Sequence, residues 1–67
     1  KAVPYEKSLL SKLPQVMYML SSGPMNIIDL YKESQDSFAD ISQFMLAIDM
    51  LFVLEKVELT LGELKKC

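Results

Sequence analysis

With 67 residues, a net charge of −2 and 51% apolar residues, the chain has room for one domain and not two. Cys67 is the only cysteine, which excludes an internal disulfide, and without histidine there is no tetrahedral zinc set. A domain this short buries only roughly 60% of its unfolded surface, so with both staples excluded a partner surface is the expected source of extra stability.

No apolar run reaches the ~18 residues of a membrane span; the longest, Phe44 to Leu54, is interrupted by Asp49. No secretory signal is visible and the chain starts at Lys1, which reads as a trimmed start or an artificial boundary; a cytoplasmic protein is the expectation. Arginine is absent and acids outnumber lysines by 9 to 7. Proteins that grip DNA carry a basic patch and read bases chiefly with Arg, so the composition argues against direct nucleic-acid binding.

Residues 1–7 are expected to form an extended lead-in, because Pro4 biases Val3 away from helix. Ser8 or Ser11 can cap a first helix. Pro14 belongs in a first turn, where its missing N–H costs nothing, so the spacing predicts a helix from near Ser11. Leu13, Val16, Met17 and Leu20 then share one face, and Ser21-Ser22-Gly23-Pro24 stops it. Met25 is a candidate one-residue strand. Asn26 is the expected N-cap of a second helix that buries Ile27, Leu30 and Tyr31 and fades by Ser34 or Gln35. Phe38 is expected to plug the corner before the next helix.

Asp40, with Gln43 three residues on, forms a capping box for a third helix from Ile41 to about Leu54. Residues 56–66 then alternate apolar and polar around Gly62, as a hairpin does. Three helices followed by a short β-hairpin wing is a mainly α (α+β) winged helix-turn-helix.

The third helix is the informative one. At about 100° per residue, Ile41, Phe44, Met45, Ile48, Leu51 and Phe52 form one stripe, a sufficient core face for a three-helix domain. Leu46, Met50 and Val53 lie almost opposite, widened by Ala47 and Leu54. So short a chain has little left to cover both sides, unless the hairpin and lead-in fold back over the second stripe. Left wet, that stripe is a contiguous apolar patch, the mark of an interaction site. The expected partner interface is therefore Leu46, Ala47, Met50, Val53 and Leu54, with Tyr18 and Met19 of the first helix as a second contact region. In DNA-binding winged helices this helix enters the major groove. Here it offers no Lys or Arg, and Asp49 would repel phosphate.

Catalytic readings find no support. Ser8, Ser11, Ser21 and Ser22 have no histidine to activate them. Gly23 and Gly62 are the only glycines, so no phosphate-cradling loop exists. Asp29, Glu33, Asp36 and Asp40 read as a solvated acidic face, with no pair singled out as a catalytic dyad. The expectation is a protein that is not an enzyme, needs no cofactor or metal, and binds another protein, with homodimerisation open. The alternative is a homodimeric winged-helix DNA-binding transcription regulator that pairs through the same stripe.

Pro4-Tyr5 and Ser8-Leu9-Leu10-Ser11-Lys12-Leu13-Pro14, then Met25-Asn26-Ile27-Ile28-Asp29-Leu30-Tyr31, and above all Phe44-Met45-Leu46-Ala47-Ile48-Asp49-Met50-Leu51-Phe52-Val53-Leu54 followed by Val57-Glu58-Leu59 carry a family resemblance. The chain resembles the small middle components of bacterial ABC three-component systems, relatives of Lamassu-type defence modules. That resemblance implies a bridging, winged-helix accessory subunit beside a large ABC- or SMC-like ATPase and an effector, in antiviral defence. It implies no catalytic residues on this chain, since the ATP site would belong to the ATPase.

Overall fold

The computed structural model describes residues 7–67. The lead-in expected over residues 1–7 lies, apart from Lys7, outside the described residues. The elements in order are α1 (Lys7–Leu10), α2 (Leu13–Leu20), β1 (Met25–Asn26), α3 (Ile27–Ser34), a 3-10 turn (Gln35–Ser37), α4 (Ile41–Val53), β2 (Val57–Thr60) and β3 (Glu63–Lys66). The result is an α+β domain, three helices of two turns or more (α2, α3 and α4) preceded by the single turn α1, with a three-stranded antiparallel sheet, compatible with a winged-helix-like fold.

The helix expected from near Ser11 begins at Leu13, and a separate one-turn helix, α1, precedes it. Pro14 explains the break: its ring would collide with the carbonyl of Leu10, and it has no N–H to donate there. The chain turns at Ser11–Lys12, with the Lys12 N–H donating to the Leu9 carbonyl at 3.0 Å, and α2 restarts with Pro14 in its first turn. Leu9 on the extra turn is buried, so α1 brings the core a side chain that the pattern alone did not assign.

The caps predicted at Asn26 and Asp40 form, whereas the N-cap position of α2 is held by Lys12 rather than by Ser8 or Ser11, with no side-chain cap bond. Asn26 accepts from the Ile28 N–H at 2.8 Å and opens α3. Asp40 accepts from the Gln43 N–H at 3.0 Å, while Gln43 Oε1 reaches back to the N–H of Ala39, one residue earlier than the usual capping box. Each such cap contributes on the order of 1 kcal/mol by satisfying a helix N–H that has no partner within the helix.

The sheet has one strand more than a hairpin. Met25 is joined by Asn26, and the pair lies against β3, giving the order β1-β3-β2. Met25, Leu64 and Leu59 form one cross-strand row, of which Leu64 is fully buried. Glu58 and Lys65 face each other across the outer pair and their side chains meet at 3.4 Å. The hairpin turns through Leu61 and Gly62, both at positive φ (53° and 81°), as in a type I′ turn.

The core gathers around Phe44, whose ring lies 5.0 Å from Tyr31 and 5.5 Å edge-on from Phe38. Phe38 thus plugs the corner as expected, and Lys12 covers it with its ammonium 5.6 Å from the ring. Ser34, the one buried polar side chain among the described residues, donates to the Leu30 carbonyl at 2.8 Å, so its burial costs little. Gln15 ties α2 to the 3-10 turn by donating to Ser37 Oγ at 2.6 Å.

Helix α4 ends in a Schellman pattern: the Lys56 N–H bonds the Leu51 carbonyl, the Glu55 N–H bonds that of Phe52, and Glu55 adopts φ 59°. Glycine usually fills that position, because a Cβ makes left-handed backbone unfavourable by roughly 1 kcal/mol. Replacing Glu55 by glycine is expected to raise the thermal midpoint by about 4–8 °C, the shift that roughly 1 kcal/mol produces in a domain of this size. Calorimetry checks it; an unchanged or lower midpoint would contradict the strained cap.

Candidate functional site

The face of α4 that points inward is not the one the stripe count selects. Phe44, Ala47, Ile48, Met50 and Leu51 are buried, while Ile41 and Met45, expected in the core, are 55% and 40% exposed. Phe52, expected there too, is also exposed. Relative to the expected stripe, the buried arc is rotated by roughly 70° on a scheme of about 100° per residue. The cause is α1, which packs against α4 on the flank that the sequence leaves open. One face of α4 is thereby covered and the opposite edge of its core stripe is left wet.

The expected interface residues separate accordingly. Ala47 is fully buried and Met50 nearly so, which corrects their assignment to a partner surface. Leu46 is half-buried against the core. Val53 and Leu54 are exposed, Val53 at 76%. Tyr18 is 79% exposed, whereas Met19 packs partly onto the core. Among the described residues the hairpin does not hide the whole second stripe, which remains open at its C-terminal end; whether the lead-in covers it lies outside the described residues.

Two shallow apolar depressions result. One, of about 230 Å³, lies between α3 and the first turns of α4 and is walled by Ile27, Ile28, Tyr31, Ile41, Phe44 and Met45. The other, of about 210 Å³, is walled by Leu10, Met50, Val53 and Leu54. Between them the exposed arc of α4 carries Ser42 and Asp49 as its polar residues and no cation. Ile28, 61% exposed on α3, extends the apolar surface beyond α4.

Ile28, Ile41, Met45, Phe52 and Leu10 are thus surface residues that the sequence reading placed elsewhere or passed over. A helix apolar on nearly all sides carried the warning: periodicity could not choose between its two stripes, and the true core lies between them. Among the described residues, no cluster of three or more His, Cys, Asp or Glu side chains could hold a metal ion. No helix there is long and apolar enough to cross a membrane.

The geometry describes a small α+β domain whose one apolar helix is half in its core and half in solvent. The chain matches the family model described as ABC-three component (ABC-3C) system Middle Component 7 over residues 1–63, and it belongs to that family. No curated protein and no solved structure matches it. Membership makes the chain the middle part of a multi-component system, which implies protein partners.

Met50 and Val53, one turn apart, separate core from surface on the same helix. Met50→Lys is expected to lower stability by more than about 2 kcal/mol, since it places a charge among buried apolar groups. Val53→Lys is expected to change stability by no more than about 0.5 kcal/mol. Urea unfolding of the two variants checks both; equal effects would contradict the burial assigned to Met50.

Proposed function

We propose that this chain is a non-enzymatic adaptor subunit that joins the other components of its system by docking through the exposed arc of α4. Its partners are a large ABC- or SMC-like ATPase and an effector, and the assembly acts against phage or other foreign DNA, as the family resemblance implies. The observation that carries the reading is the apolar strip Ile41–Met45–Phe52–Val53, continued onto α3 by Ile28, all exposed on one small domain. Covering such side chains is worth about 1.5–3 kcal/mol each when burial is complete, and the described residues leave them wet. Methionine suits an adaptable contact surface.

The element order supports reading the domain as a winged helix, with α3 and α4 as the helix-turn-helix and the β2–β3 hairpin as the wing. The helix that would enter DNA in that fold is here apolar and acidic on its open side, which favours a protein surface over a phosphate backbone.

Co-expression with the other two components of the system tests the proposal. The double variant Met45→Lys with Val53→Lys places each lysine one turn from Asp49, a favourable helix spacing, so the fold is retained. It is expected to drop out of the purified complex while keeping the wild-type circular dichroism spectrum. Full retention in the complex would remove α4 as the docking face. Fluorescence anisotropy with duplex DNA at low salt is expected to show no binding; affinity that falls steeply with salt would favour the transcription regulator instead.

A further inference from the structure

The tip of the β2–β3 hairpin combines three features that give the domain itself no benefit. Leu61 is 98% exposed, so its side chain packs on nothing among the described residues. It holds a left-handed backbone, φ 53°, which a branched aliphatic residue adopts only at a cost. It also occupies the first central position of a two-residue turn, where Asn or Asp is the residue that suits the backbone. Leu59, on the adjoining strand, is itself 57% exposed. Strain kept at an exposed position is a pointer to function, and a contact with another molecule is the function a large apolar side chain can serve there.

The chemistry of the tip selects the kind of partner. From Leu59 to Glu63 there is no cation. Glu58 is paired with Lys65, which leaves Glu63, beside Leu61, as the charge at the tip with no ion-pair partner among the described residues. A phosphate backbone or an anionic bilayer would be repelled there. We infer that Leu61, flanked by Leu59, is an anchor that inserts into an apolar pocket on another protein component of the system, a pocket whose rim presents a basic residue to Glu63. A tight hairpin holds the anchor rigidly, so little conformational freedom is lost on insertion. This inference rests on the adaptor reading for its class of partner, and it adds a contact point separate from the face of α4.

Leu61→Asn tests it, because asparagine fits the turn and removes the anchor. The variant is expected to keep or raise the thermal midpoint while its affinity for the co-expressed components falls by about tenfold or more, the loss typical of a hot-spot side chain. Failure of the wild-type chain to associate with either component would overturn the adaptor reading and the anchor together. Wild-type association matched by an equally tight Leu61→Asn complex would overturn the anchor alone. A second measurement does not depend on that variant: a photo-crosslinking amino acid at position 61 is expected to capture one of the two components. No cross-link to either, or Leu61-dependent binding to phosphatidylcholine–phosphatidylserine vesicles in their absence, would overturn the proposal.

Discussion

Everything in this domain is organised by the burial of Phe44. Its ring stacks at a tilt on Tyr31 from α3 and receives the edge of Phe38 from the corner before α4. Around it Leu30, Ile48, Leu51 and Leu64 are almost completely withdrawn from water. The anchorage fixes the rotation of α4 about its own axis, because a helix pinned at Phe44, Ala47, Ile48 and Leu51 has one arc left to offer. That arc is apolar too, and no element among the described residues lies over it. The exposed strip follows from having one all-round apolar helix in a chain of 67 residues.

Short-range chemistry was legible in the sequence. Asn26 and Asp40 cap their helices because a side-chain oxygen two or three residues ahead of an orphan N–H is a local matter. The hairpin could be read from alternation and Gly62, and Phe38 from its isolation between polar turns. What tertiary packing decides was not legible. The break ahead of Pro14 creates a separate turn, α1, and that turn covers a flank of α4 which the residue pattern left open. Covering it moved Ala47 and Met50 inward and released Ile41, Met45 and Phe52 to the surface. Of the expected contact residues, Val53, Leu54 and Tyr18 are where a partner could reach them. The second residue of β1 escaped notice because two residues carry no period.

Membership in the Middle Component 7 family supplies a context in which this surface makes sense. A subunit that works inside an assembly can expose apolar side chains that would be a liability on a free protein. The two residues held at positive φ carry a local cost of a different kind. Glu55 completes the Schellman turn after α4, where a glycine would do better, and Leu61 occupies a turn position that favours asparagine. Natural domains tolerate such local costs when their neighbours over-determine the backbone.

The claim that α4 divides a buried face from a face reserved for a neighbour can be put to its methionines. Met45 and Met50 stand on opposite sides of that division. With ¹³C-labelled methionine methyl groups and a soluble paramagnetic agent, the Met45 signal of the free domain should broaden and the Met50 signal should not. In the assembled complex both should be protected. A Met45 methyl as accessible in the complex as in the free chain would contradict the account.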